Sequence, residues 1–406
     1  MKFLIGNPVV ASLSVRGLAI AIKSVQLIVL VRFYGSELFG VYSVALGVFG
    51  LTMVIAQLGL DHYVQREAAS RNSKNYAHIL RIGRFLVLPA LAAALIAQVM
   101  VWNFYARDVA LVFTVLVVAA PVYAISWNQI FFLRGSGRIN LSLVLFEIVN
   151  PIILILAAIV FRGSDLGLAI AFLFASVATL VLTFIYTNMA LTGETEDVGS
   201  HPSISGSVIE ARSFYGTSIL QAIQSLADGL VVGFFLRPVD AALYAIVTRM
   251  AGLVLMPITI LSIYMKNFVA KLREQPLSVI WGQMRTFTFA SVFLSAAVWA
   301  ALLTLLPFVG ALFGISFPLE AQWTYFLVVT TRALQGAAAP VDSALFMSGR
   351  ENYITRIHTV LLPPYLCILL LFVPTHGLLG VGLSLLGYAM VSISATIYIL
   401  TAKLQS

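Results

Sequence analysis

Four basic side chains lie inside apolar runs of this chain, where a charge is costly. They are Arg16, Lys23, Arg249 and Arg332. A charge at the centre of a membrane-spanning helix costs about 2.5–3.5 kcal/mol, so these residues are expected to face a polar cavity rather than lipid. Guanidinium and ammonium groups are common protein ligands for phosphate. The four residues therefore predict a hydrated cavity that binds an anionic group, such as a phosphate or pyrophosphate.

Three acidic residues share the apolar runs, namely Glu147, Asp228 and Asp342. A structural interpretation pairs them with the cations, for example Asp228 with Arg249. Asp228 then has two candidate roles. As a counter-ion it stays ionised, and as a coupling site it exchanges H⁺ or Na⁺ during transport. Because cations surround it, we expect the counter-ion role.

Polar residues recur on one face of the first apolar helix and on one face of the seventh. The first stripe comprises Ser12, Arg16, Lys23 and Gln26, and the second comprises Ser218, Gln221, Gln224, Ser225 and Asp228. Their spacing of three, four and seven residues places each set on one side of a helix. An offset of 202 residues brings positions 218, 225 and 228 onto 16, 23 and 26. The two helices are therefore expected to line one shared polar cavity.

Two further similarities support an internal repeat in the same direction. Ser-Gly-Arg-x-Asn occurs at 136–140 and again at 348–352, and the segment around Tyr42 resembles the segment around Tyr244. We interpret both motifs as turn chemistry between helices. Parallel repeats of this kind commonly frame the substrate path of a transporter.

The apolar runs predict an all-α integral membrane protein with twelve transmembrane helices, each long enough for about 30 Å of hydrocarbon. The predicted spans are 9–31, 40–60, 83–103, 109–133, 141–161, 166–190, 214–236, 241–264, 286–309, 322–347, 354–373 and 377–401. They divide into an N-terminal lobe (1–190) and a C-terminal lobe (214–406). An acidic segment, 191–213, is the predicted cytoplasmic linker between these two pseudo-symmetric six-helix lobes.

Charge fixes the predicted orientation. With a cytoplasmic N-terminus, the outer loops hold only Arg32, Arg107, Arg162 and Arg237, whereas sixteen of the 24 basic residues lie at inner segments. The positive-inside rule then places both termini in the cytoplasm.

Composition limits the function. The chain is 61% hydrophobic and 10% charged, with a mean hydropathy of +1.00, which is far from an ordinary soluble domain. The net charge of +8 is explained by topology, so no nucleic-acid partner is expected. The histidines lack ligand spacing, so neither a metal site nor a cofactor is expected. No nucleotide-binding loop or nucleophile triad is present in the sequence, which favours a secondary transporter over an enzyme.

Three segments in the first third of the chain form a recognisable series. They are residues 31–45, VRFYGSELFGVYSVA, then Gln57-Leu-Gly-Leu-Asp61 and Arg66-Glu-Ala-Ala69. They resemble polysaccharide-export flippases of the Wzx type, in the multidrug/oligosaccharidyl-lipid/polysaccharide exporter superfamily. Tyr34 and Ser36 depart from the leucine and proline of the family pattern. The copy in the second half has Arg237 and Ala242 in place of both glycines. Asp228 matches an acidic position common in the family.

The resemblance implies two lobes around a central V-shaped cavity and transport by alternating access. The implied substrate is an undecaprenyl-pyrophosphate-linked oligosaccharide, moved from the cytoplasmic to the periplasmic leaflet of a bacterial inner membrane for O-antigen, capsule or exopolysaccharide assembly. Besides membrane lipids, a polysaccharide polymerase and a chain-length regulator are candidate partners. The coupling ion, H⁺ or Na⁺, is left open.

Two other functions fit the sequence less well. A MATE-like multidrug or cation antiporter also has twelve helices, but export of cations favours carboxylates on helices 1 and 7, and helix 1 carries Arg16 and Lys23. A membrane-embedded glycan polymerase would need a large outer loop, and the predicted outer loops are short. The predicted cavity residues are Arg16, Lys23, Gln26, Ser218, Gln221, Ser225, Asp228, Arg249 and Arg332.

Overall fold

The computed structural model describes residues 8–70, 76–191, 203–271, 277–345 and 351–405. Apart from short turns, these residues are helical. The first helices are α1 (Pro8–Gln57), α2 (Leu60–Ser70), α3 (Tyr76–Phe104), α4 (Arg107–Gly135) and α5 (Ile139–Leu143). Helix α5 continues through a π-helix (Val144–Val149) into α6 (Asn150–Val160), and a turn then leads to α7 (Gly167–Leu191). The others are α8 (Ile204–Phe235), α9 (Pro238–Lys271), α10 (Leu277–Phe313), α11 (Leu319–Leu345) and α12 (Glu351–Gln405). The all-α membrane fold expected from the sequence is confirmed.

The two longest helices each contain one glycine that interrupts the helical backbone. Gly35 in α1 has φ +76°, and Gly377 in α12 has φ +57°. The 50 residues of α1 would extend about 75 Å if straight, more than twice the hydrocarbon thickness. Each arm of α1 and of α12 therefore corresponds to one predicted span. The sequence predicted loops here, but glycine's access to positive φ confines each break to a single residue.

Nine stretches of the described residues are long and apolar enough to cross a membrane, including α1 and α12 with both arms. The tenth predicted span corresponds to α11, which is not among the nine. This helix carries Arg332 and Gln335 and packs extensively against α9, α10 and α12. Neighbouring helices therefore shield it, and a less apolar sequence is tolerated.

The chain divides into two compact units, Met1–Leu226 and Ala227–Ser406. The division falls within α8, later than the predicted linker at 191–213, of which residues 192–202 lie outside the described part. The first part of α8 packs in the first unit. There Ser207 Oγ lies 3.0 Å from His78 Nε2 and donates a hydrogen bond to the Tyr63 hydroxyl at 3.2 Å.

One helix is central to each unit. In the first unit α4 packs against α1, α2, α3 and α7, and in the second α11 packs against α9, α10 and α12. They are the fourth and tenth predicted spans, which are equivalent under the repeat. Each central helix carries the polar or aromatic residues on which its candidate site depends.

The connection predicted at 61–82 is largely helical, because it contains α2 and the start of α3. Tyr63 and Val64 of α2 are buried, so this segment packs in the first unit. The first Ser-Gly-Arg turn is confirmed, with Gly137 at φ +80° between α4 and α5. The second copy, at 348–350, lies outside the described residues.

Candidate functional site

A buried carboxylate–tyrosine pair lies in the second unit. Asp228 on α8 is 3% exposed and Tyr244 on α9 is 2% exposed. The Tyr244 hydroxyl donates to Asp228 Oδ2 at 2.6 Å, and the Gly229 N–H donates to Oδ1 at 2.7 Å. Both carboxylate oxygens therefore have a donor. Such bonds offset part of the cost of burying the carboxyl group and fix its direction.

Arg332 on α11 is the cation whose charge acts on this pair. It exerts an electrostatic influence on Asp228, Tyr244 and Tyr365. Its Nη1 donates to Gln335 Oε1, one helical turn further along, at 2.9 Å. Because Arg332 is only half-buried and a guanidinium carries five N–H donors, it keeps donors for a further anion beside the bond to Gln335.

Two tyrosines and a histidine on α12 extend the polar cluster. Tyr365 is 3% exposed, and its hydroxyl has no hydrogen-bond partner among the described residues. Its ring lies 4.8 Å from the ring of Tyr388, whose hydroxyl is 2.8 Å from His358 Nδ1. The second unit thus contains polar side chains from α8, α9, α11 and α12 around Asp228.

In the first unit, Lys23 on α1 forms an ion pair with Glu147 in the π-helix. The side chains are 39% and 28% exposed, respectively. A π-helical turn changes the direction of the side chains that follow it, and such turns are frequent at functional sites. Since charged groups in a span avoid lipid, their partial exposure indicates a polar space beside the pair.

Aromatic rings surround the same π-helix. Trp127 on α4 stacks on Tyr123 with ring centroids 5.6 Å apart, and it meets the edge of Phe146 at 4.6 Å. The guanidinium of Arg134 lies over the Trp127 ring at 5.9 Å. Phe146 and Glu147 are adjacent in the π-helix, so this short segment contributes to both the aromatic contacts and the ion pair.

The remaining predicted cavity residues are placed as follows. Gln26 and Ser218 are half-buried, Ser225 is exposed and donates to its own helix at Ala222 O, and Arg249 is exposed on α9. The side chains of Arg16 and Gln221, and that of Asp342, lie outside the described residues. Among the predicted residues, the structure therefore associates Asp228 with Arg332. It gives Lys23 a partner, Glu147, that the cavity prediction omitted.

The role of Tyr244 was missed by sequence reasoning. The sequence drew attention to it as the repeat equivalent of Tyr42, but that similarity was interpreted as a turn. Both tyrosines are buried, at 2% and 3% exposure. The sequence did contain a signal for this role. A tyrosine that occurs at the same position of two repeats, within apolar runs, is expected to have a hydrogen-bond partner. Asp228 and Tyr244 are sixteen positions apart, which is not a local spacing that would have linked them.

Comparison with known proteins identifies the fold. No family model and no curated protein sequence matches this chain. A multidrug resistance MATE family transporter of the MOP superfamily, solved in an inward-facing conformation, has a TM-score of 0.74 at 12% identity, covering 98% of this chain and 100% of that one. The lipid II flippase MurJ, in an inward closed conformation, has a TM-score of 0.71 at 10% identity, covering 97% and 87%.

A mutant MATE transporter from Vibrio cholerae is also similar, with a TM-score of 0.62 at 12% identity over 97% of this chain and 98% of that one. These relatives are transporters and a flippase rather than enzymes. At such identities the similarity establishes architecture and not substrate. The chain is thus a multi-pass membrane protein with the transporter fold that MATE proteins and MurJ share.

Proposed function

We propose that this protein is a flippase that moves an undecaprenyl-pyrophosphate-linked oligosaccharide from the cytoplasmic to the periplasmic leaflet of a bacterial inner membrane, for surface polysaccharide assembly. The fold supports transport, and the short segments that resemble Wzx-type flippases support the substrate class. The cycle that we propose is alternating access, coupled to H⁺ or Na⁺.

The environment of Arg332 is the observation that carries the proposal. This cation is half-buried in the central helix of the second unit and bonds a neutral amide. Asp228 is buried, with both oxygens already bonded. The donors that remain available to a substrate are therefore N–H groups of the Arg332 guanidinium. A pyrophosphate can accept the free guanidinium donors, whereas a large organic cation would find the carboxylate covered.

A transport assay in liposomes tests this function. The probe is undecaprenyl pyrophosphate carrying a fluorescently labelled N-acetylglucosamine, and a membrane-impermeant reductant quenches only the outer leaflet. We expect the purified protein to accelerate loss of the protected signal, and Arg332→Gln to slow it by about tenfold or more, as expected for loss of a charge-assisted phosphate contact.

Arg356→Gln is the matched control, because Arg356 is an exposed arginine on α12 of the same unit. It should transport at the wild-type rate. A wild-type rate equal to that of protein-free liposomes would contradict the proposed function.

A MATE-like multidrug antiporter is the second candidate, and the similarity to a multidrug resistance MATE transporter favours it equally at the level of fold. The same liposomes distinguish the two functions. Uptake of a lipophilic cationic dye against an imposed H⁺ or Na⁺ gradient, without movement of the lipid probe, would support the antiporter.

A further inference from the structure

A histidine and a tyrosine of α12 form a contact that the phosphate chemistry of Arg332 does not use. His358 is half-buried on the first arm of α12, and its Nδ1 lies 2.8 Å from the Tyr388 hydroxyl on the second arm. Gly377 interrupts the helical backbone between them. The hydrogen bond therefore joins the two arms across the break, and it depends on the protonation of the imidazole.

The two ring nitrogens of His358 have different surroundings. Nδ1 bonds to Tyr388, whereas Nε2 has no hydrogen-bond partner among the described residues. In the tautomer whose Nδ1–H donates to the Tyr388 oxygen, Nε2 carries the lone pair that accepts a proton. A proton at Nε2 makes the imidazole a cation, so the bond to Tyr388 becomes charge-assisted and stronger. Protonation thus tightens the contact between the arms.

The titratable and charged groups next to this pair come from every helix around it in the second unit. Tyr388 packs against Tyr365, with ring centroids 4.8 Å apart. Tyr365 in turn experiences the charges of Asp228 on α8 and Arg332 on α11, and it acts on Tyr244 of α9. A change of charge on the imidazole is therefore connected to the surroundings of the phosphate-binding cation by two aromatic side chains.

Among the described ionisable groups within the predicted spans, His358 suits proton exchange best. Both oxygens of Asp228 accept hydrogen bonds inside the protein, and Glu147 is paired with Lys23. An imidazole titrates at about pH 5–8, close to physiological pH. His358 follows the start of α12 by about 10 Å, near the predicted cytoplasmic end of the helix. Because this residue is only half-buried, water can reach Nε2.

We propose that His358 binds the proton that is coupled to transport, and that Tyr388 transmits its protonation to the second arm of α12. The inference rests on the proposed function and chooses H⁺ over Na⁺ as the coupling ion. In each cycle Nε2 takes one proton from water on one side of the membrane and returns it to water on the other side, while the lipid moves in the opposite direction. Asp228 keeps the role of a structural partner of Tyr244.

The test uses the fluorescent lipid probe in liposomes under a gradient of one pH unit, acidic outside, at zero membrane potential. Exchange of one proton for one lipid drives the lipid towards the acidic side, up to a ratio of about ten between the leaflets. We expect the wild type to enrich the probe in the outer leaflet about threefold or more. His358→Gln should leave it evenly distributed. The matched control is His376→Gln, because His376 is an exposed histidine of the same helix, and it should behave like the wild type.

Nuclear magnetic resonance of the histidines separates loss of coupling from loss of activity. In ¹³C-histidine-labelled protein, the resonance that is missing in His358→Gln belongs to His358. Undecaprenyl pyrophosphate should move its titration midpoint to lower pH by about half a unit, because two ligands that exchange weaken each other's binding. Tyr388→Phe should keep the resonance titrating but reduce the enrichment of the probe, since the link between the arms is lost.

The other outcomes each contradict a specific statement. Enrichment by His358→Gln equal to that of the wild type would overturn the proposal, and so would enrichment driven by a Na⁺ gradient alone. An unchanged midpoint would do the same, and a shift to higher pH would show that His358 only responds to the charge of the phosphate. Flipping that no gradient affects would refute the coupling and leave the proposed function standing. If the wild type moves no probe under any condition, the proposed function itself fails.

Discussion

At the scale of single residues, two charged side chains in the described spans, Asp228 and Lys23, have hydrogen-bond partners on other helices. Asp228 is held by Tyr244, and Lys23 is held by Glu147, 124 positions away in the sequence. Burial makes each partner necessary, because an unpaired charge or donor in the interior costs far more than the bond contributes. The sequence paired Asp228 with Arg249. The structure instead gives it Tyr244 as its donor and Arg332 as the nearby charge.

The Asp228–Tyr244 bond yields a prediction about stability. Tyr244→Phe should lower the free energy of unfolding by about 1–2 kcal/mol, because it leaves one carboxylate oxygen in the interior without its donor. The midpoint of thermal unfolding in detergent measures the change. Tyr398→Phe is the control, since Tyr398 is 72% exposed and should be neutral.

A double-mutant cycle with Asp228→Asn isolates the pair. If the bond contributes as proposed, the double variant loses less than the two single losses combined. Strictly additive losses would mean that the two side chains act independently, and the coupling role of Asp228 would then be preferred.

At the scale of elements, two long helices are divided by single glycines that have different surroundings. A Cβ at Gly35 would meet no atom within 4 Å, whereas one at Gly377 would lie 2.3 Å from Glu320 Oε1. That same oxygen accepts the N–H of Leu378 at 2.7 Å and thereby caps the second arm of α12. A side chain at position 377 would displace Glu320, and the second arm of α12 would then also lose the hydrogen bond that caps it.

Because the surroundings of Gly35 and Gly377 differ, substitution by alanine is expected to lower the free energy of unfolding by different amounts at the two positions. Gly35→Ala should cost about 1–2 kcal/mol, the strain of an L-residue at positive φ. Gly377→Ala should cost about 1 kcal/mol more, since the cap is lost as well. Thermal unfolding of both variants measures the difference. Equal losses at the two sites would show that the contact with Glu320 has no energetic role.

At the scale of the whole molecule, the distribution of basic residues predicts which side of the membrane each connection faces. The sixteen basic residues assigned to inner segments imply cytoplasmic termini and a cytoplasmic 191–213 segment. A single cysteine introduced as Ser200→Cys in a Cys367→Ser background tests this orientation. An impermeant thiol reagent added to intact cells should leave it unlabelled, and labelling should appear after lysis.

Ser164→Cys serves as the control for that measurement, because Ser164 lies in the predicted outer connection between α6 and α7. It should be labelled in intact cells. Labelling of position 200 without lysis would reverse the orientation, and with it the direction of the proposed transport.

The sequence alone determined the class of the protein. Membrane insertion depends on the length and hydropathy of local segments, so the all-α architecture could be anticipated. The predicted spans 109–133 and 166–190 end within two residues of α4 and α7. The breaks at Gly35 and Gly377 lie within or directly beside the predicted connections, 32–39 and 374–376, but their form was not predicted. A composition rich in glycine and polar residues indicates a turn, but it does not show that one residue suffices.

Tertiary structure alone decided the contacts of the candidate sites. Hydropathy shows that Lys23, Asp228 and Arg332 must avoid lipid, but not which helix faces each of them. Glu147 reaches Lys23 from a π-helical turn, and Tyr244 reaches Asp228 from the next helix. Neither relation follows a fixed spacing along the chain. Helix packing sets them, because it minimises unpaired charge over the whole interior rather than within any one segment.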